Sequence, residues 1–343
     1  MSHEILETDA MFWNQQGGIP WHSGLGGLGV EVENGLSATQ ALNLVNAYGQ
    51  SLNWTLEKQA LLNPHTLRPA VIDGKRQHQL VRSDNNAPVC FSTEGYEVLQ
   101  NHEQAALCDS LVAEGAFQLE TCGSLKNGKI VWFLGKIKTS EIVPGDLINH
   151  YVFCYTAHDG SSAFKLVPTD VRVVCNNTAT VALKGSRGKG ISIRHTKNMR
   201  TYIDAALKQM EWVKETTDSQ IATYKAMAQK EISPAHMTEF AHFVATYGLK
   251  NPNAEDNRVK NKVDAIERAM LLGDGQRGEI AGVRGTYWAA YNGMTQWINR
   301  ERRTTGKDDR ARIENRLVSL VQGQNGKLIA DATDKLQELM LAA

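Results

Sequence analysis

The sequence predicts an α+β fold: an antiparallel β-meander flanked by helices, followed by a mostly helical C-terminal region. Two observations predict it. Between residues 116 and 175, short β-branched and aromatic runs alternate with turn signals, and beyond about residue 198 the apolar residues recur at helical spacing almost to the end. Strands grouped first and helices afterwards argue against a doubly wound parallel sheet.

In chain order, residues 1–36 are glycine-rich and read as irregular. Ser37 is placed to cap a helix over 38–49, with Ala41, Leu44, Val45 and Tyr48 on its apolar side. Trp54, Leu56 and the residues after them suggest strand. A second helix is predicted from Gly95 to about Gly115, carrying Val98, Leu99, Ala105, Leu107, Leu111 and Val112. The meander then occupies 116–123, 129–137, 149–157, 162–167 and 170–175, with turns at Lys126-Asn127-Gly128 and His158-Asp159-Gly160. A basic loop at 184–190 and a short strand at 191–194 close it. Helices are expected over 198–230, 235–247, 256–272, 280–302, 309–321 and 327–341. Residues 248–257 (GLKNPNAEDN) lack an apolar period and read as a linker, dividing the chain into an α+β core with the basic loop (1–250) and a helical region (251–343).

A length of 343 residues with 42% hydrophobic and 22% charged residues excludes an extensively disordered chain. The 37 Lys and Arg balance the 37 Asp and Glu, so affinity for nucleic acid must come from local clusters. No run approaches the roughly 18 apolar residues that span a bilayer, and residues 1–20 lack a basic-then-apolar leader. A cytoplasmic protein with no membrane association is expected. The five cysteines are widely spaced with no C-x-x-C, which predicts reduced, buried thiols without disulfides or structural zinc.

The strongest local signal is 184–200 (KGSRGKGISIRHTKNMR). It contains Lys184, Arg187, Lys189, Arg194, Lys197 and Arg200 and no acidic residue. Gly185, Gly188 and Gly190 let backbone approach a phosphodiester, while the cations supply sequence-independent attraction. On the meander, strict alternation puts Trp132, Lys136 and Lys138 on one face, a stacking surface beside two cations. Tyr287, Trp288, Tyr291, Met294, Trp297 and Ile298 recur at helical spacing and read as a packing or assembly element. Phe12, Trp13, Ile19, Pro20 and Trp21 form an apolar N-terminal arm that could reach a neighbouring copy.

Three motifs fail on context. Residues 24–29 match G-x-G-x-x-G but follow no strand. Gly306-Lys307 is followed by Asp308 where a phosphate-binding loop needs Ser or Thr. His150, Cys154 and His158 share a strand face, yet the outer two stand about 26 Å apart at the usual rise, too far for one metal. No cofactor is expected.

The strings IPWHSGLGGLGVEV (19–32), LNWTLEKQAL (52–61), LETCGSLKNGKIVWFLGKI (119–137), HDGSSAFKLVPTDVRVVCNNTATVAL (158–183), ISIRHTKN (191–198) and TYWAAYNGMTQWINRERRTTGKDDRARIENRL (286–317) resemble a bacterial family of phage/plasmid-like proteins. That family is built on a domain of unknown function numbered 932, and the resemblance runs in order over almost the whole chain. A meander between helices with a basic loop beside it is also similar, at the level of fold, to single-strand annealing proteins. That similarity implies an ATP-independent homo-oligomer, a ring or filament, that holds single-stranded DNA along a positive groove. Two alternatives stay open: a metal-dependent nucleic-acid-processing enzyme using Asp159 or Asp170, and a protein of a mobile element that binds a host factor.

Overall fold

The computed structural model describes residues 7–14, 29–33, 35–113, 118–169, 190–207, 211–250, 253, 256–272, 283–302 and 324–343. The expected strand at 170–175, the loop at 184–189, the helix at 309–321, the glycine motif at 24–28, Gly306-Lys307, and Ile19, Pro20 and Trp21 lie outside them.

The meander is present and antiparallel. It runs through β7 (Gln118–Leu125), β8 (Ile130–Glu141), β9 (Leu147–Ala157) and β10 (Phe164–Thr169), closed by the edge strand β11 (Ile191–Ile193). Lys126, Asn127 and Gly128 turn β7 into β8 through three successive left-handed residues, with φ of 56°, 60° and 81°. Asn and Gly tolerate that region best, which is why the turn was legible.

The first 36 residues are less irregular than they read. β1 (Met11–Asn14) lies antiparallel to β7 and parallel to β2 (Val30–Val32), extending the sheet to the order β11-β10-β9-β8-β7-β1-β2. Phe12 and Trp13, expected on a free arm, are buried sheet residues of their own chain. Four residues are too few to show a period.

The helix expected at 38–49 stops early, as α1 (Ala38–Ala41), although Ser37 caps it in a box with Gln40. Asn46 is the reason. Its Oδ1 accepts from Tyr48 N and Gln50 N at 3.0 and 2.9 Å, and its Nδ2 donates to Asp9 O, which draws the backbone into turns instead. A second, smaller antiparallel sheet follows, made by β3 (Leu56–Ala60), β4 (Val71–Ile72), β5 (Lys75–Arg82) and β6 (Pro88–Thr93).

The two faces of the main sheet bury different side chains. α2 (Asn101–Ala113) covers the face bearing Phe12, Cys122, Val131, Phe133, Val152 and Cys154, joined there by Met199 and Ile203 of α3 (Met199–Leu207). The opposite face carries Met11, Trp13, Trp132, Leu134, Phe153 and Tyr155, also buried. Cys108, Cys122 and Cys154 are free and buried, and Cys90 is half-buried.

A helical core forms around α4 (Glu211–Gln229), α5 (Pro234–Thr246), α6 (Asn257–Leu272), α7 (Tyr287–Gln296) with the π-helical turn Trp297–Glu301, and α8 (Gln324–Ala342). Tyr287, Trp288, Met294 and Ile298 are its centre, so the aromatic helix packs within the subunit. Gly293 lets α6 lie close, since a Cβ there would meet the Met270 backbone at 2.5 Å. The far end of the β8–β9 hairpin reaches into this core through Ile142 and Ile148, and Trp288 Nε1 donates to Asp146 Oδ2 at 2.6 Å. The expected linker at 248–257 therefore joins two helices of one core, α5 and α6. No helix among the described residues is long and apolar enough to cross a membrane.

Candidate nucleic-acid interface

The two cation-bearing regions singled out in the sequence are arranged differently. Trp132 is fully buried and offers no face for stacking. Its cross-strand partner is Gly123, and the indole occupies the space that a side chain would take. A Cβ on Gly123 would sit 2.4 Å from the Trp132 ring and 2.5 Å from the Ala10 carbonyl oxygen. Trp132 Nε1 reaches Thr121 Oγ1 at 3.4 Å.

The shared face expected for Trp132, Lys136 and Lys138 is also broken. Trp132 and Lys136 pair with Tyr155 and Tyr151, but a bulge between Lys136 and Lys138 shifts the register, and Lys138 pairs with His150 on the opposite face. A single extra residue reverses every side chain beyond it. Lys138 forms an ion pair with Asp218 of α4, and Lys136 is half-buried.

In the second region Arg194 and Lys197 keep their charge toward solvent. Gly190 enters it against β10, where a Cβ would sit 2.8 Å from Leu166 O, and β11 then pairs with β10 as the sheet edge. Arg194 and Lys197 follow, both exposed, and among the described residues neither has a carboxylate partner. Between them, His195 pins the loop to the segment after β6. His195 O accepts from Glu97 N at 3.1 Å, His195 Nδ1 lies 3.1 Å from Glu97 O, and the imidazole stacks on Tyr96 at 5.0 Å between centroids. Burial pushes the His195 pKa down, only partly offset by the Glu97 bond.

Arg200 is committed elsewhere. Its guanidinium donates to both carboxylate oxygens of Glu103 at 2.7 and 3.0 Å, to Val98 O at 3.2 Å and to Glu97 Oε2 at 3.4 Å, clamping α3 to the start of α2. Burial raises the Glu103 pKa, but the Arg200 contact outweighs it and holds the carboxyl below its usual range. Lys184, Arg187 and Lys189 lie outside the described residues.

Behind the loop lies a buried polar cluster that sequence reasoning did not assemble. His158 Nε2 stands 3.3 Å from Asn101 Oδ1, and Trp54 meets the imidazole edge-on. Gln104 donates to Cys154 O at 3.1 Å. Cys90 Sγ and Tyr96 OH both reach the His158 carbonyl, at 3.0 and 3.5 Å. Burial, with His195 nearby, lowers the His158 pKa to about 3, so the ring is neutral at physiological pH. Burial also pushes the Cys90 thiol up to about 11, with Asp159 adding to the effect, which leaves no thiolate nucleophile there. Asp159 itself caps its turn, accepting from Ser161 N at 2.9 Å. Among the described residues no group of three His, Cys, Asp or Glu could hold a metal ion, and Asp170 lies outside them. The helix i, i+3 pair Asn101 and Gln104, the first beside His158 just past the end of β9 and the second bonded to Cys154 O on that strand, is the signal that was present in the sequence.

The profile of a family described as "Domain of unknown function (DUF932)" matches residues 91–320. The chain belongs to that family. No curated protein and no solved structure matches it. The DUF932 match runs from within β6 through the meander, the anchored loop and the helices past α7, and so contains both cation-bearing regions and His158, Asn101, Gln104 and Tyr96 of the polar cluster, while Trp54 and Cys90 precede it.

Proposed function

We propose that this DUF932 protein binds single-stranded DNA, without ATP, as an annealing protein in DNA recombination on a phage or plasmid, working in the cytoplasm as a homo-oligomer. The observation that carries the reading is the loop from Gly190 to Lys197. It holds Arg194 and Lys197 in solvent at a sheet edge while His195, buried between them, fixes the backbone. Preceding it, Lys184, Arg187 and Lys189 continue the same acid-free stretch. Cations on a fixed path neutralise successive phosphates and release counterions whatever the base sequence, so a strand is held with its bases accessible.

The test is fluorescence anisotropy with mixed-sequence oligonucleotides over a range of salt. The wild-type chain is expected to bind with a steep salt dependence. Changing Lys184, Arg187 and Lys189 together to alanine is expected to weaken binding alike for all sequences and to reduce the logarithmic salt slope by about 2. Annealing of complementary strands is expected to survive excess chelator, and rings or filaments are expected by electron microscopy. Unchanged affinity in the triple variant removes residues 184–189 from the site, unchanged affinity on changing Arg194 and Lys197 removes the loop, and chelator-sensitive cleavage replaces annealing with nuclease chemistry.

A further inference from the structure

The small sheet β3–β6 has an outer face with an unusual composition. Pairing in register places Gln59, Gln79 and Phe91 side by side across β3, β5 and β6, with Gln77 opposite Thr93 one step along β5. Phe91 is 72% exposed. Such exposure of a ring in the middle of a paired strand is unfavourable unless something covers it, because its apolar surface is left in water. Gln59 is exposed and Gln79 half-exposed, and among the described residues neither side-chain amide has a hydrogen-bond partner.

We infer that Phe91 is a stacking platform for a nucleobase of single-stranded nucleic acid, with the Gln59 and Gln79 amides placed to meet the base edge; this deepens the single-strand-binding reading and rests on it. The chemistry favours a base over a protein side. Beside the ring the face presents amides and a threonine, not the aliphatic surround that a protein interface core requires. Val71 and Ile72 lie at the β4–β5 turn, where Ile72 pairs with Lys75, four residues and about 13 Å along β5 from Gln79; Leu61, half-buried, lies opposite Gln77, and Leu62 and Leu67 belong to the connection from β3 to β4. An antiparallel sheet with one open ring and neighbouring amides suits a planar, hydrogen-bonding ligand.

Cations stand where a backbone would pass. Lys75 shares the outer face and is exposed, with Glu57 the one carboxylate on that face. Beyond the end of β6, Tyr96 and Glu97 hold His195, so Arg194 and Lys197 stand beside the same strand end. Phe91 is five residues from Tyr96, at most about 17 Å of extended chain, or some three nucleotides of a stretched single strand. One strand can therefore place phosphates on the loop and a base on the ring.

The experiment uses the full-length chain with two labelled probes of equal length, oligothymidylate and an abasic deoxyribose-phosphate strand. Phe91→Ala is expected to weaken binding of oligothymidylate about tenfold and to leave the abasic strand unchanged, whereas Phe91→Trp keeps the affinity. Arg194→Ala with Lys197→Ala is expected to weaken both probes. Phe91→Ala on this exposed ring should leave the thermal transition in place, which separates lost stacking from lost folding. Equal affinity of Phe91→Ala and wild type for oligothymidylate overturns the platform while the loop reading stands. Failure of the wild-type chain to bind either probe overturns both.

Discussion

The strand 129–138 and the stretch 190–197 look alike as strings, the first with Trp132 and three lysines, the second with His195, Arg194 and Lys197, yet the fold uses them in opposite ways. In the strand, the ring faces a glycine and is absorbed into the sheet, and a bulge sends Lys138 to the other face to meet Asp218. In the loop, the ring that counts is His195, which turns inward onto Tyr96 and leaves Arg194 and Lys197 outside. Charge density alone does not mark an interface. What separates the two is long-range: α4 brings a carboxylate to Lys138 and the sheet absorbs Trp132, whereas at the sheet edge Arg194 and Lys197 meet no carboxylate among the described residues.

Removing the ring of the strand is the largest test of this contrast. Trp132→Ala is expected to lower the unfolding free energy by about 3–5 kcal/mol, the range for losing a buried large aromatic. Gly123→Val should be damaging at the same place, because its side chain would need the space of the indole and the Ala10 carbonyl. Denaturant melts followed by circular dichroism measure both. A loss below about 1 kcal/mol for Trp132→Ala would return that ring to the surface and dissolve the contrast.

Acid probes the polar cluster behind the loop. His158 has a folded pKa of about 3, against an ordinary value of 6.5. Between these values the unfolded chain binds the proton and the folded chain does not, so stability is full above 6.5 and falls as pH drops through the window. At pH 5 the loss from this one group is about 2 kcal/mol. His158→Gln should flatten the decline between pH 7 and 5 while lowering stability at pH 7. An unchanged pH profile in the variant would mean that His158 is not the buried titrating group.

Next in size is the loop itself. Arg194→Ala with Lys197→Ala is expected to make the salt slope of single-strand binding shallower by about 1.4, with affinity at 0.1 M salt lower on the order of tenfold. Stability should change little, because both side chains are exposed and the anchoring is done by His195. Anisotropy titrations and thermal melts on the same double variant separate the two outcomes.

Much of the fold was legible. The meander strands carry β-branched and aromatic runs between Asn-Gly and Asp-Gly turns, and the helices from Met199 onward keep an apolar stripe, so local chemistry and global structure agree. β1 was missed because four residues show no period, and α1 was overextended because Asn46 acts through side-chain bonds that periodicity does not register. The candidate site was less legible for a physical reason. Alternation along β8 holds only until the bulge after Lys136, and a bulge is a property of the pair of strands, visible in neither alone. Phe91 carries the same difficulty. In residues 88–93 (PVCFST) it looks like one more core residue beside Val89 and Cys90, and only the pairing with Gln79 shows that its side of the sheet is open.

Lys138 offers the smallest and sharpest test, because sequence and structure assign it opposite roles. Read by strict alternation it stands beside Trp132 as a phosphate ligand, and its loss should weaken DNA binding and reduce the salt slope by about 0.7. In the structure it lies past the bulge, ion-paired with Asp218 and more than a third exposed, so it braces the hairpin against α4. Exposed pairs of this kind contribute about 1 kcal/mol or less, weakened further by salt. Lys138→Ala is therefore expected to lower stability by no more than that, and Asp218→Asn to do the same, with little added loss when both are changed. Single-strand affinity and its salt slope should not move in either variant. A drop in affinity for Lys138→Ala that Asp218→Asn does not reproduce would put this lysine on the DNA and extend the interface from the sheet edge onto the β8–β9 hairpin.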